Sequence, residues 1–428
     1  MPPQIFTWVA ALDGLHENQV TPPLDEFKLT SPTQAQSERK RATHILLNLG
    51  HAIDHMFLLI FATAVSSIAL EFGLERWEDL MPYSVTAFFL FGIGSLPSGK
   101  LGDHWGRRPM MLVFFFGMGM ASVLVGLANS PLQIAWALAL LGCFASIYHP
   151  IAIPMLIQDT QRPGWTIGVN GLCGNLGVAL AAVITGYLVK YQGWRMAFFI
   201  PGMVCMACGV LFLLVTARES TAPARKKFAD TQTSGKSIAK LLLVMTMAST
   251  TGSLLFNLST NSNYELLSQR MHEISQDPAY IGTLLGLVYG VASLTQLLVG
   301  HWIDRYPLRK LYMAVIIYQA ICITLATWLD GWMFYALQFL FMAGIFGAVP
   351  FTDAMIARYV DDAQRSRVSG MRLTVSLGGS SLAVLLIGPI VKQAGFTALL
   401  GVMLITSVVT FLVISQLPTT PTPLKPSE

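Results

Sequence analysis

Long apolar segments, each about 20 residues or more, recur twelve times along this chain, and a segment of that length is what a helix needs to cross a bilayer. They lie at residues 43–70, 81–101, 109–128, 131–157, 164–189, 194–216, 239–264, 279–302, 311–329, 332–356, 368–391 and 395–416. A backbone in lipid must satisfy its polar groups internally, so such segments are read as helices. The pattern predicts an all-α membrane protein with twelve transmembrane helices. Only 12% of the residues are charged, against about 25% in soluble domains. The segment at 239–264 is the most polar of the set, being rich in Ser, Thr and Asn.

The basic residues alternate in density from one connection to the next. If the N-terminus is cytoplasmic, 22 of the 27 Lys and Arg fall on the cytoplasmic side. The other side keeps Arg76, Lys190, Arg195, Arg270 and Lys392, with an acidic first loop of Glu71, Glu75, Glu78 and Asp79. The bias of positive charge sets orientation, so both termini are expected to be cytoplasmic, in a bacterial inner membrane. Residues 218–238 form the one long polar interior stretch. The expected division is an N-terminal tail (1–42), a six-helix bundle (43–217), a cytoplasmic linker (218–238), a second six-helix bundle (239–416) and a short C-terminal tail (417–428). The polar start of the chain has no basic stretch leading into an apolar core, so no cleavable signal peptide is read there. A short surface helix at 5–12 is an alternative to an unstructured tail.

The two bundles echo one another. Gly99, Gly102, Asp103, Gly106, Arg107 and Arg108 lie between the second and third segments, and a degraded copy carrying Asp304, Arg305, Arg309 and Lys310 lies 201 residues later. Pro150 is matched by Pro350, Gly177 by Gly379, and Gly186 by Gly388. Repeated six-helix halves are a frame of secondary transporters.

With these residues the chain resembles the major facilitator superfamily, over roughly residues 43–416. The resemblance implies the major facilitator fold, two pseudo-symmetric six-helix bundles, and transport by alternating access. It also implies that the loop's Asp103 lies near the helix that begins around Val368, holding the halves together when the cavity faces outward. Two departures stand out. The fourth segment lacks the mid-span Arg of many proton-coupled members, and the fifth, at Gly171–Gly177, lacks the Gly-Pro pair of the family's drug antiporters. Tyr148-His149-Pro150 and Gly174-Asn175-Leu176-Gly177 resemble the fosmidomycin-resistance branch.

The first segment carries the concentrated titratable chemistry. His44, Asn48, His51 and His55 follow steps of 4, 3 and 4, one helical stripe, with Asp54 beside it. An ionised Asp at mid-membrane costs about 2.5–3.5 kcal/mol on insertion scales, so it needs a partner or water. Histidine titrates near neutral pH. His51, Asp54 and His55 are therefore the candidate proton-coupling set, against the plainer reading of hydrogen bonds between packed helices. Candidates for a polar substrate cavity are Tyr148, His149, Asn170, Asn175, Asn257, Asn261, Tyr264, Tyr289, Gln296 and Gln338. Asp353 and Arg372 are candidates for a cytoplasmic gate, alongside Asp103 and Asp304.

The chain has 20 Met and 5 Cys, and soft ligands suit Cu(I). Met245, Met247, Cys205 and Cys208 are the ligands for an alternative reading as a copper-type importer. Methionine as an apolar gap-filler is the simpler explanation. A non-transporting membrane sensor is the alternative from another class. No phosphate-cradling Gly-Lys-Ser/Thr motif is present, and no zinc spacing is visible outside the apolar segments, so neither enzymatic activity nor a cofactor is expected. The expected partners are a small solute or ion, protons and the lipid bilayer, with no nucleic acid, for a monomeric protein.

Overall fold

The computed structural model describes residues 32–158, 160, 163–216, 236–359 and 362–418. Among them all regular structure is helical. Ten helical spans are Gln36–Glu71, Trp77–Trp105, Arg107–Gly126, Pro131–Ile157, Trp165–Gln192, Met196–Val215, Leu241–Arg270, Pro278–Arg305, Leu308–Ala326 and Gly331–Ile356. The last apolar run, Thr374–Ile414, holds two more. It is divided at Gly395, whose φ of 73° ends one helix and starts the next. The result is the twelve-helix, two-bundle fold.

Helix ends overrun the apolar segments. The first helix begins at Pro32 and the seventh at Lys236, both ahead of the hydrophobic run. Gln36, Glu38, Arg39, Lys40 and Ala42 are good helix formers, and Pro is well placed in a first turn, so the helix extends beyond the lipid-compatible stretch. The residues at 5–12 and most of the linker lie outside the described residues.

Spans four and ten are each broken at matching places. The fourth is helical over Pro131–Ala145 and again over Tyr148–Ile157; the tenth over Gly331–Gly347 and Val349–Tyr359. Pro150 and Pro350 have no N–H for the carbonyl four residues back, and their rings crowd it. The eighth span breaks at Leu294 without a proline. There Ser293 and Thr295 donate their hydroxyls to the carbonyls of Gly290 and Ala292, at 2.7 and 2.6 Å. Such local bonds compete with the helix ladder.

The connection between spans two and three sets one end of the molecule, here called the loop end. Gly106 turns the chain with φ 94°, which a side chain would strain. Arg108 then donates to the carbonyls of Leu213 and Thr216, tying the loop to the end of span six. The second copy is built alike: Arg309 donates to the carbonyl of Leu417 at the end of span twelve. Its turn is made by Pro307 at φ −60° instead.

The opposite end, here the far end, is where the described contacts between bundles concentrate. Span five packs on span eight, and span two on the last apolar run. A Cβ on Gly186 would lie 2.4 Å from the carbonyl oxygen of Pro278, and one on Gly282 2.4 Å from that of Ala182. Glycine at both sites lets the two backbones touch. Toward the loop end, a Cβ on Gly168, Gly171 or Gly378 would meet no described atom within 4 Å. Large apolar side chains cover the outside, among them Trp136, Trp165 and Trp328. A bilayer accommodates that surface; water does not.

Candidate functional site

The stripe on span one is held against spans four and five. His51 is 6% exposed and Asp54 is fully buried. The His51 Nδ1 lies 2.7 Å from the carbonyl oxygen of Asn170. A carbonyl only accepts, so Nδ1 carries the hydrogen and the neutral ring presents a bare Nε2. That Nε2 faces His55 Nε2 at 3.1 Å. The two nitrogens share one hydrogen, donated by His55.

Tyr148 fixes the His51 ring from behind. The two rings stack with centroids 4.8 Å apart and planes 10° from parallel. The Tyr148 hydroxyl donates to the carbonyl of Leu47 at 2.7 Å and accepts from the Asn170 amide at 2.8 Å. The same amide reaches Asn48 Oδ1 at 2.9 Å. Gly174 lies against His51, where a Cβ would come within 2.7 Å of the ring. His149 completes the cluster, edge-on to His51 at 5.1 Å.

Asp54 differs from its neighbours. Neither of its oxygens has a hydrogen-bond partner. The nearest cation-forming group is His149, whose Nε2 is 3.9 Å from Asp54 Oδ2. A lone carboxylate charge there would cost several kcal/mol, which an imidazolium on His149 would offset.

Among the described residues, the corresponding wall of the second bundle is built of amides and hydroxyls. Ser253 donates to the carbonyl of Ser376 at 3.0 Å and shares a 3.0 Å bond with Ser380. The Asn257 amide reaches Ser380 Oγ at 2.9 Å, and Asn261 donates to the Asn257 carbonyl at 3.1 Å. Sequence reasoning named Asn257 and Asn261 but missed the serines. The step of four from Ser253 to Asn257 to Asn261 is the signal that marks the first of them.

The remaining cavity candidates are scattered. Tyr289 is buried, with its hydroxyl on the Thr260 carbonyl at 3.3 Å, and Tyr264 is buried too. Asn175 Nδ2, Gln296 Nε2 and both Gln338 side-chain atoms are buried without hydrogen-bond partners. The copper-type ligand set does not assemble. Cys205 and Cys208 pack in the large core with Phe115, Met245 lies in a separate core of the second bundle, and Met247 points outward. Packing on different helices pulls these sulfurs apart.

Of the gate candidates, Asp103, Asp304 and Asp353 are exposed at the loop end, and Gly102 is buried with Gly99 against span four. Arg107 donates to Gln158 at 3.3 Å. The side chain of Arg372, and those around Val368 that were expected near Asp103, lie outside the described residues.

The far end carries a set of contacts that sequence reasoning missed. Ser66 donates to Glu265 Oε1 at 2.7 Å, joining the bundles across 199 residues of chain. Lys190 pairs with Asp277 and Lys392 with Asp79, again between bundles. Arg76–Glu78, Arg195–Glu71 and Arg270–Asp330 pair within bundles, so all five basic residues of this face have acidic partners. A cavity of about 530 Å³ lies here, lined by Arg76, Glu78, Glu265, Gln269 and His272. The Lys190 ammonium, with the N–H groups of Ala279 and Tyr280, holds the Asp277 carboxyl below the ordinary carboxylate range. Hydrogen bonding to Glu78 raises the Arg76 guanidinium further above neutrality. The cross-bundle pairs are a third or more exposed, so solvent screens them and each contributes little. Backbone packing at Gly186 and Gly282 dominates the closure.

Similar proteins share this frame. Multidrug resistance protein MdtG of Citrobacter koseri is 27% identical over 292 residues, spanning 66% of this chain and 70% of that protein. MdtG of Enterobacter lignolyticus is 25% identical over 345 residues, 79% of this chain and 80% of its own. Among solved structures, a bacterial homologue of the human lysosomal transporter Spinster superposes with a TM-score of 0.70 at 14% identity, covering 87% of this chain and 94% of that one. A variant of the nucleoside transporter NupG gives 0.67 at 14% identity, covering 88% and 98%. The Major Facilitator Superfamily model matches residues 47–269 and 241–428. Duplicated bundles, the Gly99–Arg108 hairpin and these matches agree: the chain is a membrane transporter of the Major Facilitator Superfamily.

Proposed function

We propose that this transporter moves a small organic solute by alternating access and couples the movement to protons through Asp54 and the histidines around it. The single observation that carries this reading is Asp54: a fully buried carboxylate with no hydrogen-bond partner, 3.9 Å from an imidazole nitrogen. Such a group is costly unless its proton is used. One proton on Asp54 makes the site neutral; a proton on His149 makes it an ion pair. His51 and His55 extend the path with a second shared hydrogen. Asn257, Asn261 and Ser380 on the facing bundle supply neutral hydrogen-bonding groups for the solute. The MdtG relatives, named for multidrug resistance, favour an organic cargo.

In this reading the loop end is cytoplasmic, the membrane is the bacterial inner membrane and the protein works as a monomer. The density of Lys and Arg at the loop end supports the orientation. The test is purified protein in liposomes with a trapped pH dye, challenged with a panel of amphipathic drugs and nucleosides. The reading expects at least one solute to trigger proton movement, and an imposed pH gradient to accumulate that solute. Solute flux with no accompanying proton movement would remove the coupling.

A further inference from the structure

Three imidazoles from two helices converge on one point beside a buried carboxylate. The candidate ligand atoms of His51, His55 and His149 all lie within 4.8 Å of one another. We propose that this cluster is a transition-metal site, taking a divalent ion of the Zn²⁺ class through the three imidazoles with Asp54 as an anionic fourth ligand. This inference is independent of proton coupling, since it concerns equilibrium binding.

Four features carry it. First, the spacing fits. Zn–N bonds of about 2.0–2.1 Å give tetrahedral N···N edges of about 3.3 Å. The His51 and His55 Nε2 atoms are 3.1 Å apart, and the widest separation in the trio exceeds the edge by about 1.5 Å, within reach of small ring movements. Second, His51 is already oriented as a ligand. Its Nδ1–H is on the Asn170 carbonyl, leaving Nε2 bare toward the cluster. Metal-bound histidines nearly always hold their second nitrogen this way. Third, the donor set is selective. Imidazole nitrogens suit Zn²⁺, Ni²⁺ or Cu²⁺ and disfavour Mg²⁺ and Ca²⁺, which take oxygen ligands. Fourth, a carboxylate is at hand to offset half of the ion's charge. Asp54 Oδ2 lies 3.9 Å from His149 Nε2 and lacks a hydrogen-bond partner. On binding, His55 shifts its hydrogen from Nε2 to Nδ1 so that Nε2 can ligate, and the proton of a neutral Asp54 leaves to solvent.

The rings are also accessible. His55 and His149 are only partly buried, whereas His51 forms the floor. All ligands belong to the first bundle, so an ion would bind without locking the halves together.

The experiment is titration of the untagged full-length protein in detergent with Co²⁺, read by the visible bands of four-coordinate cobalt, and then with Zn²⁺ as competitor. One ion per chain is expected, displaced by Zn²⁺. His55→Ala and His149→Ala, both at the accessible edge of the cluster, should each weaken binding at least tenfold, and together at least a hundredfold. His272→Ala and His301→Ala, on exposed positions, should bind like the parent. Should His51→Ala fail to fold, the two edge variants still decide the matter. Absence of cobalt bands, or equal binding in the edge and exposed-site variants, overturns the proposal. Metal binding without solute-linked proton flux would instead remove the coupling reading and leave the metal site standing.

Discussion

The two bundles share a frame and differ in chemistry. Arg108 ties the first loop to the carbonyls of Leu213 and Thr216; Arg309 does the same for the second at Leu417, the residue 201 places after Thr216. Spans four and ten break at matching prolines. Shifted by 201, however, His51, Asp54 and His55 become Gly252, Leu255 and Phe256, and at the offset of 200 that pairs Pro150 with Pro350, Tyr148 and His149 become Ala348 and Val349. Among the described residues, the first wall holds titratable groups, and the wall from Ser253 to Asn261 holds amides and hydroxyls. Repetition preserved what folds the bundle, while the buried carboxylates differ: Asp54 in the first copy has no hydrogen-bond partner, and Glu265 in the second accepts from Ser66 across the bundles.

The most severe way to break the contrast is to remove one side chain from each wall. His149→Ala takes away the partner of Asp54 and is expected to lower pH-gradient-driven transport on the order of a hundredfold, against a loss of about 1 kcal/mol, or roughly fivefold in KM, for Asn257→Ala. Equal damage from both would erase the distinction between walls. Initial rates in liposomes supply both numbers.

The next test concerns the closure rather than the walls. Gly186→Leu places a side chain where only 2.4 Å separates its Cβ from a carbonyl oxygen. Overpacking of this kind costs about 1–3 kcal/mol, so the far-end-closed form should lose population in favour of a far-end-open one. Spin-label distances across spans five and eight would widen. The same substitution at Gly168, which has no described neighbour within 4 Å, should leave the distances unchanged.

A smaller effect sharpens the likeness of the halves. Arg108→Ala and Arg309→Ala each remove charge-assisted bonds at the loop end, worth about 1–2 kcal/mol. Both should lower thermal stability in detergent by similar amounts, with Arg108 the larger because it makes two bonds. A silent Arg309→Ala would mean that the second loop is held differently.

The smallest effect is the pH response of the far end. The Asp277 carboxyl is held below the ordinary range by Lys190. A depressed acid stabilises the contact fully above the unfolded value of about 3.9 and loses that contribution as pH falls through the lower folded value. The Lys190–Asp277 contribution to far-end closure should therefore be flat from neutral pH to about pH 5 and be lost only in stronger acid. Asp277→Asn should abolish the acid response, which the same spin-label distances would report.

Much of the frame was legible in the chain because it is periodic. Apolar length marks spans, and steps of 4, 3 and 4 put His44, Asn48, His51 and His55 on one stripe. Helix ends were not, since Gln36 to Ala42 favour helix without being apolar. Nor was the union of that stripe with His149 and Asn170, which come from about 100 residues away in sequence and meet only through packing of spans one, four and five. The Ser66–Glu265 bond has no local spacing at all. The sulfur ligands illustrate the reverse failure: Cys205 and Cys208 are near Met245 in sequence, yet the fold assigns them to separate cores.

In the proposed function, Asp54 carries the coupling proton. Asp54→Asn keeps the size of the side chain and removes the acid, so it is measured against the parent protein in liposomes in two paired assays: accumulation of a solute driven by a pH gradient, and exchange of that solute at equal pH. The account predicts that Asp54→Asn abolishes accumulation while exchange, which needs no net proton movement, continues. Full gradient-driven accumulation by Asp54→Asn would contradict it.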